Sequence, residues 1–448
     1  MISRKIDTFL QEFFANDNKA LLITGARQTG KTFSIRQFGT SHYTNFVEIN
    51  FIDYPEAATA IAQAGNSNDI LFRLSALTQV PLVKGQTLIF FDEVQECPQI
   101  LTYIKFLVDE GSYRYVLSGS LLGVTLKDLR SAPVGYLCTK HMFPLDFEEF
   151  INALGIGANI VDKLRSCFDT LTPVDTVVHN KLLELFRLYL IVGGMPAVVS
   201  KYIETNNLRD VTIEQQAIIN LYKMDIAKYD KDNKLYIEEI FDLIPPELNS
   251  SNKRFILKNI NENLKFSRYE NSFLWLKDAG VALPVYNVEE PKSPLLLARS
   301  RNLFKLFQSD IGLLACQYAD GIQLRIISGD NSINYGAVYE NAVAQELNSK
   351  GFNLYYYNNK RLGEIDFLVE KGGRVLPIEV KSGKDYTRHR ALSNILSVTE
   401  FDIKEAFVLS NENISTDGSI TYLPVYMAMF INNTPRQSIT YTVDISTL

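Results

Sequence analysis

Cysteine, histidine and tryptophan are scarce in this chain: four, four and one among 448 residues. Cys97, Cys138, Cys167 and Cys316 stand far apart and form no C-x-x-C pair, so neither a zinc site nor a disulfide framework is supported, and a reducing cytoplasmic setting is expected. His42, His141, His179 and His389 are equally scattered and suggest no metal cluster. No apolar run approaches about 18 residues, which excludes an evident membrane-spanning helix, and the opening Met1–Lys5 has no apolar signal core. Positive charge is also short: 45 Lys and Arg against 51 Asp and Glu give a net charge of −6. That balance weighs against a broad electrostatic coat on nucleic acid, though a local basic patch is compatible with it. Internal repeats and low-complexity tracts are absent as well.

What the chain does have is ordinary core-forming content, 46% hydrophobic and 21% charged, and enough length for about three domains at roughly 150 residues each. Residues 1–155 alternate short apolar runs with helical patterns, the signature of a parallel α/β sheet, with strands expected at 21–24, 43–50, 87–91, 113–118 and 136–140. Residues 156–300 read as mostly helical. One stripe, Leu182, Leu185, Phe186, Tyr189 and Leu190, is broken at Gly193-Gly194-Met195-Pro196, and Pro245-Pro246 punctuates a later section. Residues 301–448 return to α/β character, beginning with a helix over 338–347.

The sharpest chemical signal is Gly25-Ala26-Arg27-Gln28-Thr29-Gly30-Lys31-Thr32, a full G-x-x-x-x-G-K-[ST] phosphate loop between an apolar strand and a helix. The glycines let backbone N–H groups turn inward around phosphates, and the helix N-terminus faces the anion. Lys31 is expected on the β- and γ-phosphates and Thr32 on Mg²⁺; with the adjoining Phe33, the loop residues are the candidate ATP contacts. Downstream, the strand Thr87–Phe91 runs into Asp92-Glu93. Asp92 suits the Mg²⁺ side of the site, and Glu93 suits a base for the attacking water. The next strand ends Leu117-Ser118-Gly119-Ser120, where Ser118 is a candidate sensor beside the γ-phosphate, unless this is only a turn capped by Ser120. Arg114 and Arg130 are candidates for an arginine finger.

These motifs resemble the AAA-type branch of P-loop ATPases, which place an extra strand between the phosphate-loop strand and the acidic strand. More narrowly, the chain looks like a prokaryotic family of such ATPases carrying a C-terminal nuclease-like domain. Besides the loop, the carrying residues are Phe91-Asp92-Glu93-Val94-Gln95, Leu117-Ser118-Gly119-Ser120, Phe143-Pro144-Leu145-Asp146-Phe147-Glu148-Glu149-Phe150, Tyr189–Pro196 and Ser309-Asp310-Ile311-Gly312-Leu313-Leu314. The resemblance implies a helical region followed by a winged-helix-like module that includes 273–281. It also raises homo-oligomerisation as an expectation.

A second constellation lies near the C-terminus: Gly363-Glu364-Ile365-Asp366-Phe367-Leu368-Val369, then Pro377-Ile378-Glu379-Val380-Lys381. Strand alternation puts Ile365, Phe367 and Val369 on one face with Asp366 opposite, and sends Glu379 and Lys381 to a common side. Two close carboxylates call for a cation, so Asp366 and Glu379, with Glu340 from the preceding helix, form a candidate site for a second Mg²⁺ or Mn²⁺, and Lys381 could act on a phosphodiester. Glu340, Asp366, Glu379 and Lys381 together resemble the PD-(D/E)XK nuclease pattern. The implied partners are DNA or RNA, or a protein docked on a silent nuclease-like domain; Lys384, Arg388, His389 and Arg390 could touch phosphates or form a solvated helix start. The expected fold class is therefore α/β: an N-terminal AAA-type parallel sheet, a helical and winged-helix-like middle, and a C-terminal restriction-endonuclease-like domain.

Overall fold

A computed structural model describes residues 2–78, 80–120, 135–229, 234–250, 253–256, 269–318, 321–329 and 335–433. The N-terminal part holds β1 (Ala20–Thr24), β2 (Asn45–Asn50), β3 (Thr87–Asp92), β4 (Arg114–Ser118) and β5 (Leu137–His141) in one parallel sheet of order β2-β3-β4-β1-β5. The extra strand between the loop strand and the acidic strand is β4. All six residues of β3 are buried, as a strand covered on both faces must be. Ile89 and Phe91 pack toward the helices Pro55–Ala62, Ser67–Leu77 and Gln99–Glu110, while Leu88 and Phe90 pack toward Lys5–Asn16 and Lys31–His42.

The middle is helical. In Thr176–Val192 the residues Leu182, Phe186, Tyr189 and Leu190 are buried, and the helix stops where Gly193 takes φ +73°. Pro245-Pro246, which punctuates this section in the sequence, does not end a helix: the helix Lys234–Asn249 runs through both prolines. Ile237, Ile240, Phe241, Ile244 and Leu248 are all fully buried along it, and that packing outweighs the hydrogen bonds the prolines remove.

The second sheet has eight strands: β6 (Ala282–Val288), β7 (Arg299–Gln308), β8 (Tyr355–Asn359), β9 (Gly363–Lys371), β10 (Arg374–Val380), β11 (Ala406–Ser410), β12 (Ser415–Asp417) and β13 (Ile420–Pro424), in the order β12-β13-β11-β10-β9-β8-β6-β7. The helix Gly336–Ser349 joins the core on one face and Arg390–Leu396 the core on the other. A boundary at 300 therefore falls inside the antiparallel β6–β7 hairpin. The segment 273–281, expected in a winged-helix-like module, forms most of the helix Glu270–Asp278 and the turn into β6, so its hairpin is an edge of the C-terminal sheet.

Three segments of no evident chemistry in the sequence meet at one buried junction. Leu145 N donates to Gly194 O at 2.7 Å, Gly194 N to Asp310 Oδ2 at 2.6 Å, and Tyr189 Oη to Leu145 O at 2.8 Å. Gln345 closes the circuit, donating to Tyr189 Oη at 2.9 Å and accepting from Ile311 N at 2.8 Å. Beside it, Asp146 accepts from Lys5 at 2.6 Å and Lys350 at 2.9 Å, and Arg4 pairs with Glu149 at 3.1 Å. Burial alone would raise the Asp146 carboxyl, yet Lys350 and Lys5 hold it far below the usual carboxylate range. The junction thus ties the end of the first sheet to the middle helices and to the helix Gly336–Ser349. It has no spare room: a Cβ on Gly194 would lie 2.1 Å from Leu145 O. Gly194→Ala is expected to destabilise the protein by about 1–3 kcal/mol in urea unfolding, whereas Gly65→Ala, with nothing within 4 Å, leaves stability nearly unchanged.

Candidate ATPase site and C-terminal carboxylate cluster

Register builds the first site. Ile23 pairs with Ser118, Phe91 with Leu117 and Asn50 with Asp92, so the phosphate loop, Asp92 and Ser118 emerge at one edge of the sheet. The loop needs its glycines: Gly25 has φ +141° and a Cβ there would strike Met142 O at 2.2 Å, while Gly30 caps the next helix at φ +93°. Thr32 Oγ1 donates to Asp92 Oδ2 at 3.0 Å, and Ser118 Oγ donates to Asp92 Oδ1. Glu93 follows in the left-handed region at φ +53°, its N–H on Asp92 Oδ1 at 3.0 Å and its carboxylate accepting from Gln95 Nε2. Lys31 is buried, with Nζ donating to Gly25 O at 3.0 Å and Ala26 O at 2.7 Å.

The remaining loop residues are anchored outward. Thr29 Oγ1 donates to Ala26 O at 3.0 Å, and Thr29 O accepts from the buried Arg4 at 3.0 Å. Arg27 pairs with Asp225 at 2.8 Å and donates to Ser120 Oγ at 3.3 Å, so Ser120 serves the loop here. Gln28 sits at φ +65°, and Phe33 is 55% exposed on the first helical turn. Of the two arginine-finger candidates, Arg114 opens β4 at the end of the sheet opposite the loop and donates to Asp17 O at 3.0 Å, so it does not reach the loop of its own chain. Arg130 lies outside the described residues. A cleft of about 520 Å³ opens between Met142–Pro144 and β6, but it touches the loop only through Ala26, and neither Lys31 nor Asp92 lines it.

Burial lowers the Lys31 ammonium to about 8, against the pull of Glu93 and Asp92. A polyphosphate anion favours the charged form, so binding must take up a proton wherever the free lysine has lost it. ATP affinity is therefore expected to be flat below pH 7 and to fall by up to about tenfold per unit as pH rises beyond 8, read from dissociation constants between pH 6.5 and 9.5.

The C-terminal residues also meet, but not as the sequence suggests. Glu340 is 1% exposed and pairs with Lys253, and with Lys305 at 3.6 Å. Lys305, on β7, is fully buried; its Nζ lies 2.8 Å from Glu364, 3.9 Å from Asp366 and 5.1 Å from the Tyr356 ring centre. Burial opposes its charge, yet Glu340, Asp366 and Glu364 hold it well above the ordinary lysine range. Asp366 Oδ2 accepts from Val380 N at 2.9 Å, and Glu379 Oε1 is held by Lys381 at 2.7 Å. Burial first and then Asp366 push the Glu379 carboxyl up, against Lys381.

The counter-charge among these carboxylates is supplied by lysines, Lys305 above all. A second Mg²⁺ or Mn²⁺ site is not shown: among the described residues no group of three or more His, Cys, Asp or Glu side chains is placed to hold a metal. One expectation is corrected: strand alternation fails at Asp366, because β9 fits two residues, Asp366 and Phe367, opposite the single Tyr356 of β8 between the Tyr355–Leu368 and Tyr357–Ile365 pairs. Ile365 consequently packs in one core with Leu368, and Phe367 with Val369 in the other. Lys253 and Lys305 were invisible as functional positions, though Lys305 stands conspicuously in Phe304-Lys305-Leu306-Phe307.

A phosphate loop facing an acidic strand end, on a parallel sheet with a strand inserted between them, defines a P-loop ATPase domain of the AAA type. Residues 17–151 match the family model of an AAA domain, and the N-terminal region is such a domain, which implies ATP binding and hydrolysis and, typically, Mg²⁺. Residues 183–323 match a domain of unknown function (DUF8612), and residues 335–427 another (DUF4143). No curated protein matches the chain. Among solved structures it is similar to a Walker-type ATPase of Pyrococcus abyssi, at 13% identity over 71% of this chain and 96% of that one, with a TM-score of 0.41. It is also similar to Cdc6p of Pyrobaculum aerophilum, at 14% identity over 72% and 92% with a TM-score of 0.26. A third is the Aeropyrum pernix ORC1 protein solved in complex with DNA, at 12% over 74% and 93% with a TM-score of 0.27. Among the described residues no single helix is long and apolar enough to cross a membrane.

Proposed function

We propose that this chain hydrolyses ATP at the Gly25–Thr32 loop and uses the nucleotide cycle to reposition its C-terminal domain, a nuclease-like module that binds a partner rather than cutting it. The observation that carries the ATPase reading is the hydrogen bond from Thr32 Oγ1 to Asp92 Oδ2, 3.0 Å, between side chains 60 residues apart. A hydroxyl and a carboxylate are the oxygen donors a hard cation takes, so Thr32 and Asp92 would hold Mg²⁺, which supplies charge neutralisation of the phosphates. The loop's N–H groups and Lys31 bind and orient the β- and γ-phosphates. Glu93 takes a proton from the attacking water; the water oxygen bonds to the γ-phosphorus as its bond to the β-phosphate oxygen breaks, leaving ADP and phosphate. Ser118 keeps Asp92 in place.

Coupling is supported by the contacts of the loop itself: Arg27 reaches Asp225 in the middle helices, and Arg4 links Thr29 O to Glu149 beside the buried junction. Silence of the C-terminal domain is favoured by Lys305, whose ammonium already neutralises the carboxylates. Mg²⁺-dependent turnover by the intact chain, alone and with single-stranded DNA, duplex DNA, RNA or candidate proteins, tests the reading and identifies the partner class by stimulation. Cleavage of a nucleic acid that disappears in Asp366→Ala would overturn the binding-only role.

A further inference from the structure

Glu93 is followed by a single 3-10 turn, Val94–Glu96, closed by Cys97 N on Val94 O at 3.1 Å. The left-handed backbone at Glu93, φ +53°, feeds that turn and brings the side chains of residues 93 and 95 together. Gln95 is 8% exposed; its Nε2 donates to Glu93 Oε2, and its Oε1 is buried with no hydrogen-bond partner among the described residues. The orientation follows from the contact, because a carbonyl turned toward a carboxylate would be repelled. An amide oxygen buried without a partner is costly and stands ready to accept a hydrogen bond.

We infer that Gln95 is a positioning residue for hydrolysis: its N–H holds one oxygen of Glu93 so that the other faces the attacking water. The inference rests on the assignment of Glu93 as the base. Glu93 is then fixed twice, through its backbone on Asp92 Oδ1 and through its side chain on Gln95. This is the arrangement a base needs, since catalysis depends on aim as well as on basicity.

The test is a double-mutant cycle on the full chain, with single-turnover hydrolysis and nucleotide affinity measured for wild type, Gln95→Leu, Glu93→Gln and the double variant. Gln95→Leu should slow hydrolysis about 10- to 100-fold, with the ATP dissociation constant within about twofold of wild type. In the Glu93→Gln background the same change should cost less than about threefold, because Gln95 acts through Glu93. Gln95→Met, close in volume to glutamine, is run beside it; unchanged affinity in both variants shows an intact site. Near-wild-type hydrolysis in both Gln95 variants overturns the inference, and so does an undiminished loss in the Glu93→Gln background. Hydrolysis by Glu93→Gln at the wild-type rate, or none in wild type, instead removes the reading on which the inference stands.

Discussion

Lys31→Ala is expected to reduce ATP turnover about 100- to 1,000-fold and to weaken ATP binding, while Glu93→Gln keeps binding and loses turnover by a similar or larger factor. The two outcomes differ because the side chains meet the nucleotide at different moments. Lys31 is a buried cation whose present partners are two loop carbonyls, Gly25 O and Ala26 O, and phosphate oxygens are the stronger acceptors for an ammonium. Removing it takes away charge that acts in both the ground and transition states, so affinity and rate fall together. In the proposed mechanism Glu93 has no part in holding phosphates and receives a proton only as the water attacks. Its glutamine variant keeps the shape and loses the base. Filter-binding or calorimetric affinity beside phosphate release separates the two, and equal turnover in both variants and wild type would remove the assignments.

Lys305→Met is expected to cost the protein about 3–5 kcal/mol, the usual penalty for removing one partner from a buried charge cluster. The lysine is fully buried with Glu340, Glu364 and Asp366 around it, and a thioether in its place leaves those acids repelling one another. Glu340→Gln on top of Lys305→Met should recover a substantial part of the loss, because it removes a carboxylate that the methionine cannot neutralise. Urea unfolding of the four-member set measures both effects. If Lys305→Met is as stable as wild type, the ammonium is not the counter-charge of the cluster, and a role for a divalent cation there returns to consideration.

The contrast between the sites explains what the sequence could disclose. The phosphate loop is eight consecutive residues whose conformation is set locally by glycines and by the helix that follows, and Asp92 ends a strand buried on both faces. Parallel register then brings distant strand ends together with little freedom. Lys305 has no conformational marker of that kind, only its place in the apolar run Phe304-Lys305-Leu306-Phe307. In Arg299-Ser300-Arg301-Asn302-Leu303-Phe304-Lys305 an alternating strand offers several cations, and only pairing with β6 and the approach of the helix Gly336–Ser349 decide which one is buried. The irregularity beside Asp366 is similarly hidden, since one added residue in a ladder leaves no trace in composition. Pro245-Pro246 shows the same limit from the other direction: a strong local breaker was overridden by burial of its helix.

The β6–β7 hairpin bears on how such a chain can be inherited. Its strands are encoded on either side of residue 300, and they supply one whole edge of the eight-stranded sheet together with the lysine at the heart of the carboxylate cluster. A recombination event joining a foreign C-terminal part at that point would bring in β7 with its lysine but leave behind β6, the strand that pairs with both β7 and β8. A join that keeps the C-terminal sheet whole must therefore lie before β6, so that both strands of the hairpin pass from genome to genome together.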